Sequence, residues 1–120
     1  MKLLLVDDNE RIRKMMLSIY SPHFDEVIEC KNGIEAVTVF DETIPDWVIM
    51  DIMMKEMDGL EATTKIISKN PSAKVIIVSQ YDDCTTIEAA KKSGAFEFVS
   101  KSNLYKVIEV IEKFNSSDNH

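Results

Sequence analysis

The chain has few basic residues for its size. Lysine and arginine total 14 against 21 aspartates and glutamates, a net charge of −7 with a pI near 4.8. A domain built to grip nucleic acid needs a basic face, so that role is excluded for this domain. Cysteine is scarce as well. Cys30 and Cys84 have neither metal-ligand nor redox spacing, and both are expected as small buried hydrophobes that imply no oxidising compartment. No apolar run approaches the ~20 residues that span a bilayer. Between Lys2 and Asp7 the apolar stretch Leu3–Leu4–Leu5–Val6 is too short for a secretory leader. A cytoplasmic protein with no membrane contact is expected. These 120 residues read as one domain without an internal repeat. The three glycines and three prolines fall at boundaries between patterned segments.

What remains is ample for one domain. The 120 residues are 45% hydrophobic, enough for a core without disulfides or structural metal. Short apolar runs alternate with helical periodicity. Leu3–Val6 reads as a strand covered on both faces, stopped by Asp7–Asp8. Asn9 is placed to cap an amphipathic helix in which Ile12, Met15, Met16, Ile19 and Tyr20 recur at helical spacing, ended by Ser21–Pro22. Glu26–Cys30 is a more polar strand, suited to an edge. A helix over Ile34–Phe40 buries Val37 and Phe40. Trp47–Met50 is the third strand and ends in Asp51. Leu60, Thr63, Thr64 and Ile67 line one face of the next helix. Val75–Val78 is the fourth strand and ends in Ser79. A helix from Asp82–Asp83 to Lys92 is closed by Gly94. Phe96–Ser100 is the fifth strand, followed by Lys101. A last helix over Asn103–Phe114 turns Leu104, Val107, Ile108, Ile111 and Phe114 inward. Residues 115–120 read as a polar tail or linker, leaving 1–114 as the domain.

The alternation of strand and helix predicts an α/β fold, an open five-stranded parallel sheet with helices on both faces. In such a sheet the strand C-termini share one edge, where ligands bind. Asp7–Asp8, Asp51, Ser79 and Lys101 all stand at that edge. If the strand order is 2-1-3-4-5, Asp7, Asp8 and Asp51 converge. Three adjacent carboxylates raise one another's pKa and call for a counter-charge. Mg2+ suits oxygen ligands of this kind and commonly adds a phosphate. A carboxylate facing such a metal, with a hydroxyl and an ammonium beside it, is equipped to form an aspartyl-phosphate.

These residues resemble the receiver domain of two-component response regulators, over about residues 2–114. The motifs are Leu4–Asp8, Pro45–Met54 with Met57–Asp58–Gly59, Val75–Ser79, Gly94–Ala95 and Phe98–Lys101. The resemblance implies the flavodoxin-like, CheY-like fold with order 2-1-3-4-5. It implies that Asp51 accepts phosphoryl from a sensor histidine kinase or phosphotransfer protein. It implies Mg2+ held by Asp7, Asp8 and Asp51 with the backbone carbonyl of Met53. Ser79 and Lys101 would bind phosphoryl oxygens. Phe98 would be the switch aromatic, moving with Ser79. The fourth helix, fifth strand and fifth helix would carry the output or a homodimer contact. The protein would be a signalling switch that catalyses only its own phosphoryl transfer and dephosphorylation.

The chain departs from the receiver pattern at three places. Ser102 follows Lys101 where many receivers have proline in a cis bond. Before serine a cis bond would cost ~2.5–4 kcal/mol, so a trans bond is expected. This variant is familiar in receivers joined to DNA-binding domains of the LuxR/NarL type. Lys55 replaces a proline in the loop after Asp51. Gln80 replaces a small residue after Ser79, and with Met53 and Tyr81 predicts restricted access for water and a long phosphoryl lifetime. Three other readings compete. A haloacid-dehalogenase-type phosphohydrolase needs a second aspartate where Met53 stands. A flavodoxin-like FMN module needs a phosphate loop where Asp7–Asp8–Asn9 would repel one. The third is a receiver-like interaction module that works without phosphorylation.

Overall fold

A computed structural model describes residues 1–118. Five parallel strands form one sheet in the order β2-β1-β3-β4-β5. They are β1 (Lys2–Val6), β2 (Glu26–Cys30), β3 (Trp47–Asp51), β4 (Val75–Ser79) and β5 (Glu97–Ser100). The helices are α1 (Glu10–Tyr20), α2 (Gly33–Thr43), α3 (Gly59–Lys69), α4 (Cys84–Lys92) and α5 (Lys106–Asp118). Both expectations for the architecture hold, the open α/β sheet and its strand order.

The three central strands are apolar because helices cover both of their faces. Leu4, Val6, Val48, Met50, Val75 and Ile77 point into one core with Ala36, Phe40, Ala62, Ile66 and Ala90. Leu3, Leu5, Ile49, Ile76 and Val78 point into the other with Met16, Tyr20, Leu104, Val107 and Ile111. The polar strand β2 lies at an edge, as its composition predicts. At the end of the sheet remote from Asp51, Trp47 meets Phe96 and Phe114 edge-on, with centroids 5.2 and 5.5 Å away. Lys74 Nζ lies 5.1 Å from the Trp47 ring and 5.0 Å from Phe114. This cluster ties α5 to the sheet through aromatic and cation–π contact.

Caps explain most helix starts. Asn9, Asn32, Asp58 and Asp83 each accept an amide from the first turn of α1, α2, α3 and α4. Asp83 is the cap of α4, which therefore starts at Cys84. Gly94 takes φ +97° after α4, the left-handed conformation that closes a helix.

Several expectations need correction. Helix α2 runs three residues past Phe40, because Asp41–Glu42–Thr43 continue it on the solvent side until Ile44 turns left-handed at φ 43°. In α3 the buried face is Ala62, Thr63 and Ile66, while Thr64 is exposed and its hydroxyl donates back to the Leu60 carbonyl at 2.9 Å. A tight 3-10 turn over Lys101–Asn103 precedes α5, which begins at Lys106 and continues to Asp118 through part of the expected tail. Residues 119–120 lie outside the described residues. Cys30 is buried as expected, and burial pushes its thiol up to about 12. Cys84 is exposed, because α4 buries only Ala90, near its other end.

Candidate phosphoryl and metal site

Parallel pairing puts the ends of β1 and β3 side by side, with Val6 opposite Met50. Their next residues, Asp7 and Asp51, therefore emerge together. Strand β4 lies beyond β3 with Asp51 opposite Val78, and β5 beyond that with Ser79 opposite Ser100. Asp7, Asp51, Ser79 and Lys101 are each the last or next residue of a strand, with Asp8 one residue further on, which is why their spacing in sequence is wide and their spacing in space is small. A cavity of about 230 Å3 is lined by Asp7, Asp8, Asn9, Ile12, Asp51, Met53, Ser79, Gln80 and Lys101.

Asp7, Asp8 and Asp51 each offer a carboxylate oxygen, all within 4.8 Å of one another. Asp7 and Asp51 are buried and Asp8 is exposed. Lys101 Nζ stands 2.9 Å from Asp51 Oδ1 and 3.2 Å from Asp7 Oδ2. Burial pushes the Asp51 carboxyl up to about 6, and Asp7 reinforces this while Lys101 opposes it. Burial also works against the Lys101 charge, but Asp51 and Asp7 outweigh it and hold the ammonium above its ordinary range.

Other contacts fix the loops. Asp7 Oδ1 accepts the Asn9 amide at 2.9 Å. Arg13 Nη1 donates to the Asp7 carbonyl at 2.7 Å, and Arg13 Nε pairs with Glu29 Oε1 at 3.0 Å. Sequence reading missed Arg13, because an arginine on a helix gives no sign that it reaches back to a strand end. Ser79 is buried, and its Oγ accepts the Tyr81 amide at 3.0 Å. Met53 and Gln80 line the cavity, but Tyr81 stands outside the lining, 51% exposed. The crowding expected from Tyr81 is therefore not seen.

The site's fit to a cation rests on one atom. Asp7 Oδ2 is fully buried and receives no hydrogen bond, although Lys101 Nζ is 3.2 Å away. We read that contact as charge attraction without a directed bond. A buried, undirected carboxylate oxygen beside two other carboxylates suits a hard cation with oxygen ligands.

Phe98 lies apart from this cavity. It is half-buried on β5 opposite Ile77, and lines a separate cavity of about 280 Å3 with Ile87, Ala90 and Lys91 of α4. The two departures from proline have local consequences. There is no cis peptide bond among the described residues, and the Ser102 amide donates to Ser100 Oγ at 3.2 Å. The Lys55 amide donates to Asp8 Oδ2 at 3.3 Å. A proline at either place would lack the donor.

The sequence model of the response regulator receiver domain family matches residues 3–112. The chain belongs to that family. This receiver is 44% identical to the chemotaxis protein CheY of Listeria monocytogenes over 115 residues, which cover 94% of this chain and 97% of that one. It is similar to a solved DNA-binding response regulator of the LuxR family from Staphylococcus aureus, with 31% identity, a TM-score of 0.85, and coverage of 95% and 98%. It is also similar to the response regulator TrrA of Thermotoga maritima, solved in complex with Mg2+ and BeF, at 31% identity and a TM-score of 0.84 over 93% and 96% of the chains. The LuxR-type likeness expected from Ser102 is present among these relatives, beside likeness to a chemotaxis receiver. No helix among the described residues is long and apolar enough to cross a membrane.

Proposed function

We propose that this receiver is a phosphorylation-activated switch with Asp51 as the phosphoacceptor. The observation that carries the reading is the meeting of Asp7, Asp8 and Asp51 within 4.8 Å, with Lys101 Nζ 2.9 Å from Asp51. An ionised Asp51 oxygen attacks the phosphorus of a phosphohistidine on a sensor kinase or phosphotransfer protein. A P–O bond forms, the P–N bond breaks, and the departing imidazole nitrogen keeps the electron pair and takes a proton from solvent. Asp7, Asp8, Asp51 and the Met53 carbonyl would hold Mg2+, with Asp8 a direct ligand. Bound there, Mg2+ supplies positive charge that offsets the carboxylates and the incoming phosphoryl oxygens.

Lys101 then exchanges part of its Asp51 contact for a phosphoryl oxygen. Ser79 gives up the Tyr81 amide to donate to another. Its displacement frees space for Phe98 to turn inward and alter the surface of α4, β5 and α5. Moving such a switch from 1% to 99% active needs ~5.5 kcal/mol of preference. Charge-assisted hydrogen bonds from Ser79 and Lys101, at ~1.5–3 kcal/mol each, are of that order.

The reading makes the protein a signalling component that catalyses only transfer to and loss from its own aspartate. The receiver unit, expected over residues 1–114 and carried on by α5 to Asp118, is a cytoplasmic module whose output is homodimerisation or a partner at α4, β5 and α5. The LuxR-family likeness supports a DNA-binding output domain joined to it. Sedimentation that detects no association on phosphorylation would remove dimerisation from this account. The test of the switch is incubation with Mg2+ and a small phosphodonor, followed by intact mass. Wild type gains one phosphoryl group and Asp51→Asn gains none. An equal gain in both places the acceptor elsewhere.

A further inference from the structure

The three carboxylates are not held alike. Asp7 is buried and accepts the Asn9 amide at 2.9 Å. Asp51 is buried and paired with Lys101 at 2.9 Å. Asp8 is exposed, and the hydrogen bond it accepts comes from the main-chain amide of Lys55, in the loop between β3 and α3, at 3.3 Å. The side chain of residue 55 plays no part in that bond. The donor exists because this residue is not proline.

We propose that the Lys55 main-chain N–H is a positioning group for Asp8 and sets the affinity of this site for Mg2+. The inference rests on the reading of the acidic cluster as a Mg2+ site. An exposed aspartate samples several rotamers, and ligation must select one. A fixed donor selects it beforehand, as outer partners of metal ligands do. The bond occupies Oδ2 and leaves the other oxygen of the carboxylate free for the cation.

The donor is presented by a loop with little freedom. The Gly59 amide donates to the Ile52 carbonyl at 2.9 Å, which closes the loop at its base. A Cβ on Gly59 would fall 1.9 Å from the Asp51 carbonyl oxygen, and one on Gly33 would fall 2.3 Å from the Met57 carbonyl oxygen. Main chain therefore packs on main chain at both sides of the loop. Glu56 and Met57 both take positive φ, at 50° and 54°, a pair of left-handed residues that turns the chain back toward α3. Asp58 then caps α3 through the Glu61 amide at 2.9 Å. Lys55 thus enters the turn from a braced segment.

The bond is long and partly solvated, so its effect on binding falls at or below the roughly tenfold low end for such partners, about three- to tenfold. Calorimetric Mg2+ titration of four proteins tests it. They are wild type, Lys55→Ala, Lys55→Pro, and a chain in which an α-hydroxy acid at residue 55 replaces the amide with an ester. Lys55→Ala keeps the donor and should bind Mg2+ as wild type does. Lys55→Pro and the ester should bind about three- to tenfold more weakly. At saturating Mg2+, phosphorylation of the ester chain by a small phosphodonor should return to the wild-type rate. A positioning role shifts the half-saturating Mg2+ and spares that limit, whereas general damage lowers both. If proline distorts the loop, the ester chain decides. Equal affinity of the ester chain and wild type overturns the proposal, and so does a loss in Lys55→Ala as large as in the ester. Absence of Mg2+ binding by wild type itself would overturn the metal reading beneath it.

Discussion

Lys101 Nζ lies 2.9 Å from Asp51 Oδ1, and the same ammonium is 3.2 Å from Asp7. One cation thus balances two buried carboxylates at the point where β1, β3 and β5 end. Lys101→Ala removes that charge and leaves the carboxylates to repel. In metal-free buffer near neutral pH, the variant should lose about 2 kcal/mol of stability by denaturant unfolding. The loss should shrink in acid, where Asp51 protonates, and also on adding Mg2+. A variant as stable as wild type under all of these conditions would show that the lysine does not balance the site.

Asp51 gives the fold a pH dependence of known sign. Its folded pKa, about 6, lies above its ordinary value of 3.8. The protonated form is therefore the one the fold prefers. The stability this confers is full below the ordinary value and is lost as pH rises through about 6. Asp51→Asn removes the charge, so above that pH the variant should exceed metal-free wild type by up to about 3 kcal/mol. The difference should close as pH falls toward about 4. Unfolding curves across that range check it, and a gap that widens in acid would contradict the sign.

Arg13 connects α1, β2 and the end of β1 through the Asp7 carbonyl and Glu29. Arg13→Ala leaves the Asp7 carbonyl without this donor and leaves Glu29 only the longer Lys14 contact at 3.4 Å. Stability should fall by about 1–2 kcal/mol. Arg13→Lys should recover only part of this, because one ammonium cannot reproduce the two-sided guanidinium contact. Thermal unfolding of the two variants measures both effects.

Gln80 and Met53 line the cavity through which water would reach the phosphoryl group. Phosphorylated protein should therefore keep its label for minutes in Mg2+ buffer without a phosphatase. Gln80→Ala should shorten that time. Complete loss from wild type within seconds would show that these side chains leave the phosphoryl group open to water.

The sheet was legible because its strands are short, apolar and separated by amphipathic segments, and parallel pairing leaves few arrangements. The site was legible for the same reason. Once Asp7, Asp8, Asp51, Ser79 and Lys101 are recognised as strand-end residues, a parallel sheet gathers them. What escaped notice depends on contacts with no periodic trace. Arg13 reaches from a helix to a carbonyl, and the Lys55 amide reaches Asp8 through main chain alone. On α3, Leu60, Thr63 and Ile67 pack inward as expected, but Ala62 escapes notice because it is small, and Thr64 faces water because threonine packs or faces water equally well. The end of α2 was missed because its last turn is polar and stops at Ile44, a residue seldom found left-handed.

The central claim is that phosphoryl transfer ends on Asp51, and an aspartyl-phosphate can be located chemically. Borohydride reduces the acyl phosphate and releases phosphate, which leaves homoserine where the aspartate stood. After treatment with Mg2+ and a small phosphodonor, reduction, digestion and tandem mass spectrometry should find homoserine at residue 51. Homoserine at residue 7 or 8, or at no residue of a chain that had gained phosphoryl mass, would contradict the account.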